Sequence, residues 1–299
     1  MRYDGGHKRD SFVADVLGPC VEWVSVCPEL EAGMGVPRPP IRLVDEDGDL
    51  RLVAPSTGRD FTATMRRFSA GRLRELERLG LDGYVLKKGS PSCGTERVAV
   101  YRGAHRLHRK GVGLFAAALL ARWPELPVEE EGQLSDRRLR ENFIERVFCR
   151  NRWRTFLRCG PSRSGLVEFH TAHKMLLRVH NEAGYRRLGR LVGAAGTMRD
   201  AELFARYEEE FQRTLRTKAT VERHSNVLQH ALGYFKELLD SREKREVLSA
   251  VEDYRLGMLP LIVPLTLLRF LIAKYDVECL RGQLYFDPHP KELMLRNDC

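Results

Sequence analysis

The chain has 299 residues, 50 Lys plus Arg against 41 Asp plus Glu for a formal charge of +9, and 43% apolar residues. That is enough apolar surface to bury at least one sizeable core, which excludes a disordered or collagen-like chain, and the length suggests two domains. The longest apolar run, Leu259 to Ala273, is shorter than a bilayer-spanning helix and is interrupted by Pro264 and Arg269, so no membrane association is expected. The opening MRYDGGHKRD is charged with no apolar stretch behind it, so a cytoplasmic location without a secretory signal is expected. In that compartment seven unevenly spaced cysteines are core thiols, metal ligands or reactive groups rather than a disulfide framework.

In the first half, short β-branched runs alternate with helical stretches. EWVSVC, IRLV, LRLVA, GYVLKK and RVAVY read as strands, and Asp10 to Gly18, Phe61 to Leu79 and Gly111 to Trp123 as helices. The last of these stops before Pro124, as the preproline restriction requires. The alternation predicts an α/β domain over residues 1–135 with a small, largely parallel sheet, whose sites lie at the carboxyl ends of strands.

Residues 136–161 read as an arginine-rich connecting helix in which Arg146, Arg150, Arg154 and Arg158 recur every four residues and form one stripe. Such a stripe is a candidate nucleic-acid contact, with Trp153 and Phe156 nearby for packing or stacking. The ordinary alternative, a solvated face paired with acids of the other domain, comes first, since no recognised nucleic-acid motif supports the contact. Residues 162–299 carry almost no strand signal and predict an all-α bundle of about five or six helices.

Two cysteines stand apart. Cys27 and Cys93 each follow a predicted strand directly and precede Pro or Gly, which leaves the sulfur in a loop where metal binding or thiolate chemistry is available. On residue pattern alone a metal or cluster ligand, a nucleophilic or redox thiol and a structural cysteine all remain open. Cys20, Cys149, Cys159, Cys279 and Cys299 have no comparable setting; Cys149 is expected in the core and Cys299 at a mobile terminus. The pairs His105/His108 and His170/His173 lack the further ligands a zinc site needs, so a partly buried or surface polar role is expected for the second pair. GLDGYVLKKGS is neither a Walker sequence nor a dinucleotide fingerprint.

RYDGGHKRD, VCPELEAGMGVPRPPIRLV, LKKGSPSCG and LRENFIERVF resemble domain-of-unknown-function family 523, whose characterised relatives are thiouracil desulfidases. VPLTLLRFLIAKYD and YFDPHPKELMLRN resemble family 1722, the helical domain of YbgA-type proteins. The resemblance implies a four-iron four-sulfur (4Fe-4S) cluster held by three Cys, of which two map to Cys27 and Cys93, and removal of sulfur from a small thiolated pyrimidine by hydrolytic carbon–sulfur cleavage. It implies proton-handling roles for Glu29 and for Ser90 or Ser92, without distinguishing the two serines. Their ordinary alternatives are capping and turn hydrogen bonds. Asp4, His7, Lys8, Arg38 and Lys88 lie in the same phrases and are expected to position substrate or loops. Family members carry the first cluster Cys in a phrase like CLLG ahead of RYDG, whereas here Met1 precedes it directly, so an N-terminal truncation and impaired cluster binding are expected. Cys20 lies on the far side of a predicted helix from that position. The alternative function is a non-catalytic protein that docks nucleic acid or a partner through the helical domain.

Overall fold

A computed structural model describes residues 4–6, 9–103 and 105–297; His7, Lys8 and Cys299 lie outside them. The chain divides into two units, residues 1–135 and 136–299. The first is α/β and the second helical, and among the described residues no helix is long and apolar enough to cross a membrane.

In the α/β unit, β1 (Arg42–Glu46) turns into β2 (Asp49–Ala54) through Asp47 and Gly48, both with positive φ, the two-residue turn that matches strand twist. Beyond them come β3 (Arg59–Asp60), α1 (Thr62–Leu79), β4 (Tyr84–Leu86), β5 (Val98–Arg102), β6 (His105–Gly111), α2 (Leu114–Arg122) and β7 (Val128–Glu130). One sheet runs in the order β3-β2-β1-β5-β6 and a second pairs β4 with β7. The arrangement is mixed: β1 with β5 and β4 with β7 are parallel, and the hairpin pairings are antiparallel. α1 buries Met65, Leu73 and Leu76, a helically spaced stripe, and ends at Gly80 with left-handed φ. With Leu43, Leu52, Val100, Phe115 and Leu119 these residues make the core.

Two strand expectations need correction. EWVSVC forms no ladder, and Trp23 and Val24 are exposed, because a β-branched run gives an extended backbone but a strand also needs a partner. Conversely, β6, HRLHRKG, was not expected: it is a charged edge strand whose alternation is masked by the Lys, Arg and His residues that protect such edges.

The helical unit contains α3 (Arg137–Arg158), α4 (Arg163–His180), α5 (Glu182–Gly193), α6 (Asp200–Leu215), α7 (Val221–Leu232), α8 (Ser241–Arg255) and α9 (Ile262–Tyr275). Its helices start where short polar side chains satisfy free backbone N–H groups: Asp136, Ser162, Asn181 and Thr220 each accept from the third residue on. Asp240 and Glu243 form a reciprocal capping box. Trp153 is fully buried, its ring 5.2 Å from those of Phe169 and Tyr207, so it packs the core rather than offering a stacking surface.

Candidate functional site

The Cys93 loop is built by its own backbone. The Ser90 hydroxyl accepts from the N–H groups of Ser92 (3.1 Å) and Cys93 (3.2 Å), a turn made by a side chain. The first turn of α2 then docks onto it: Phe115 and Ala116 N–H donate to the Ser92 carbonyl at 3.0 and 3.1 Å, and Gly113 N–H to that of Gly94 at 2.8 Å. No side chain fits at this joint, since a Cβ on Gly113 would stand 2.4 Å from the Ser92 carbonyl and one on Gly94 2.5 Å from Val98.

The second loop carries Cys27. Its N–H donates to Glu31 Oε1 at 2.8 Å, and Glu31 Oε2 lies 3.1 Å from Arg72 of α1. Glu29 sits between the two loops: its Oε1 accepts from Ser92 Oγ at 2.9 Å and Ser90 Oγ at 3.2 Å. Its Oε2 accepts from Arg38 Nε at 3.0 Å and from a second Arg38 nitrogen. The Arg38 side chain is 4% exposed and that of Glu29 14%. Ser92 is fully buried, while Ser90, Cys27 and Cys93 are partly buried. Burial pushes the Cys93 thiol up, and the negative charge of Glu29 adds to it. Cys27, Cys93, Glu29, Ser90 and Ser92, far apart in the chain, thus share one place. A thiol kept neutral by burial and by an anionic neighbour is one that a cation would turn into a thiolate ligand.

The expectation for the loop residues is resolved unevenly. Arg38 reaches Glu29, whereas Lys88 donates its backbone N–H to Glu131 at 2.6 Å and Asp4 accepts from Gly6 at 3.0 Å. A cleft of about 360 Å³ lies beside the Cys27 loop, lined by Glu31, Thr64, Phe68 and Arg72 among others. The sequence signal for it was the helical spacing of Thr64, Phe68 and Arg72 on α1.

The arginine stripe is only partly open. Arg146 is buried at 9% exposure, and Arg150 faces Glu208 of α6 in the same unit at 3.7 Å. Arg154 is partly buried, and Arg158, exposed, donates to Thr155 on its own helix. The second histidine pair is internal: His170 Nδ1 lies 3.0 Å from the Tyr207 hydroxyl and His173 Nδ1 2.7 Å from the Phe169 carbonyl. Cys149 is buried, and Cys20 Sγ lies 3.9 Å from the Val16 carbonyl.

A buried ionic cluster in the helical unit escaped sequence reasoning. Glu141, Glu145 and His289 bring donor atoms within 4.8 Å of one another. The chain itself answers their charge: Arg296 lies 3.0 Å from Glu145 and 3.5 Å from Glu141, and His180 Nε2 lies 3.0 Å from Glu145. Burial disfavours the Glu145 carboxylate, yet His180 and Arg296 hold it well below the usual range. A cavity of about 30 Å³ beside it has room for roughly one water.

The chain is thus an α/β unit that brings two loop thiols near a clamped carboxylate, followed by an all-α unit. Residues 1–131 match the 2-thiouracil desulfurase family model and residues 174–290 match that of DUF1722, a protein family of unknown function. Uncharacterized protein YbgA of Escherichia coli strain K12 is 28% identical over 161 residues, 54% of this chain and 95% of the relative. Uncharacterized protein YbbK of Bacillus subtilis strain 168 is 26% identical over 140 residues, 45% of this chain and 90% of the relative. A solved structure of the [4Fe-4S]-dependent thiouracil desulfidase TudS is 29% identical, covering 45% of this chain and 84% of that one at a TM-score of 0.34.

Proposed function

We propose that the chain is a desulfidase of small thiolated pyrimidines that replaces a thiocarbonyl sulfur by oxygen from water and releases sulfide. The observation that carries this reading is the Glu29 carboxylate, which accepts hydrogen bonds from Ser90 and Ser92 on the loop of Cys93. The family of the first domain supplies the substrate class.

The donor set suits a four-iron four-sulfur cluster in part. Cys27 and Cys93 would hold it, and the resemblance implies a third thiolate that the described residues do not assign. When bound, such a cluster supplies a Lewis-acidic iron that draws on the thiocarbonyl sulfur. The chain's own residues then manage protons. Water adding to the ring carbon must lose a proton, and Glu29 Oε1 is the acceptor. Ser90 is the relay: it is partly exposed, its proton points to Glu29, and two backbone N–H groups on its oxygen stabilise the charge that develops as that proton leaves. Ser92, wholly buried, holds Glu29 from behind.

Anaerobic reconstitution of the full chain, followed by iron and sulfide analysis and a thiouracil assay, tests this. The expected result is iron binding that Cys27→Ser and Cys93→Ser each abolish. Glu29→Gln and Ser90→Ala should retain iron while losing about 10²-fold or more in rate, with Ser92→Ala affected less. A chain that binds no iron and releases no sulfide overturns the reading and leaves the non-catalytic alternative.

A further inference from the structure

We propose that Arg38 is a positioning residue that fixes the Glu29 carboxylate and, through it, ties the loop of Cys27 to the loop of Cys93. This rests on the reading above that Glu29 accepts the proton. Arg38 donates through Nε (3.0 Å) and a second nitrogen to the same carboxylate oxygen, Oε2, and through its third nitrogen to the Gly35 carbonyl at 3.0 Å. Gly33 and Gly35, with φ of +82° and +74°, curl the backbone so that residue 38 reaches back to residue 29.

The consequence is a division of labour between the two oxygens. Oε2 belongs to the guanidinium and Oε1 to the two serine hydroxyls, so the carboxylate has no rotational freedom left. Each hydroxyl must spend its single proton on Glu29. The path Gly35, Arg38, Glu29, Ser90 and Ser92 then crosses from one cysteine loop to the other. A lysine in place of Arg38 has a single nitrogen and cannot hold both Glu29 and Gly35 in this geometry.

The test uses the full-length chain as Arg38→Ala, Arg38→Lys, Glu29→Gln and the double variant Arg38→Ala/Glu29→Gln. Thermal unfolding reads the tie without activity: the double variant should lose no more Tm than the worse single one, because each single change already breaks the same ion pair. Losses that add in the double variant overturn the proposal. In the reconstituted protein, Arg38→Ala should retain iron, lose about 10²-fold in kcat with little change in KM, and recover about 10-fold with added guanidinium, while Arg38→Lys recovers less. Where Glu29→Gln itself loses activity, an Arg38→Ala protein with wild-type kcat, or a loss that guanidinium does not restore, also overturns it. If Glu29→Gln keeps full activity while the Tm losses still fail to add, the proton role of Glu29 has failed and the tie stands.

Discussion

The two units of this chain treat buried charge in opposite ways. In the α/β unit, Glu29 and Arg38 meet at the edge of two loops, with partly exposed thiols beside them and a cleft of about 360 Å³ next to the Cys27 loop. In the helical unit, Glu145, His180 and Arg296 meet deep in the core, their side chains 1%, 0% and 4% exposed, beside a cavity of about 30 Å³. The first arrangement leaves Ser90, Cys27 and Cys93 partly exposed; the second sets its charges against one another inside the same unit. Polar residues mark chemistry only where they are left something to do.

The largest effect that separates the units is acid sensitivity. Burial lowers His173 and His224 to about 3 and His170 to about 4, all in the helical unit. Each is neutral when folded and takes up a proton on unfolding once pH falls below the ordinary histidine value. The unfolded state therefore binds more protons between about pH 6.5 and those lowered values, and stability falls with falling pH across that window. The slope is about 1.4 kcal/mol per pH unit for each histidine, and helical circular dichroism during denaturant titration at pH 7 and pH 5 measures it. A helical unit equally stable at both would show these rings to be solvated.

Next in size is the removal of a single cation. Arg296→Met removes the guanidinium from the buried Glu141 and Glu145 carboxylates and should cost about 3–5 kcal/mol by chemical denaturation. Glu29→Gln, at a partly hydrated site, should cost about 1–2 kcal/mol while acting on the reaction. Equal losses would erase the contrast between an ionic lock and a working carboxylate.

Gly113→Ala probes the same contrast from the backbone. Its Cβ would press on the Ser92 carbonyl and the Cys93 nitrogen, so overpacking of about 1–3 kcal/mol is expected together with loss of iron binding. A fully active Gly113→Ala protein would mean that the Cys93 loop relaxes without cost.

These contrasts also explain what was legible beforehand. The all-α character of the second half was legible in its composition, and its helix starts have local causes, since Ser162, Asn181, Thr220 and Asp240 act within three residues of themselves. Cys27, Glu29, Ser90, Ser92 and Cys93 stood out as phrases, because each loop is locally built, yet the hydrogen bond that brings Glu29 to Ser92 spans 63 positions and has no periodicity. The ionic cluster was out of reach for the same reason: Glu141 and Glu145 fall one helical turn apart, but Arg296, which bonds Glu145, lies 151 positions further on. EWVSVC and HRLHRKG fail for a related reason: strand pairing is decided by partners distant in sequence, not by the composition of the run.

The smallest effect concerns the stripe on α3. Arg146 is buried, Arg150 and Arg154 are partly buried and Arg158 is exposed, so the C-terminal end of the stripe is its more accessible part. Changing Arg154 and Arg158 to Gln should alter stability by no more than about 0.5 kcal/mol, as for other surface positions. If this end of the helix meets RNA phosphates, the slope of log affinity against log salt should fall by about 0.7 for each arginine–phosphate pair removed on a single strand. An unchanged slope would show that the stripe is a packing and pairing device along its whole length, and that the helical unit, like its ionic core, directs its arginines inward.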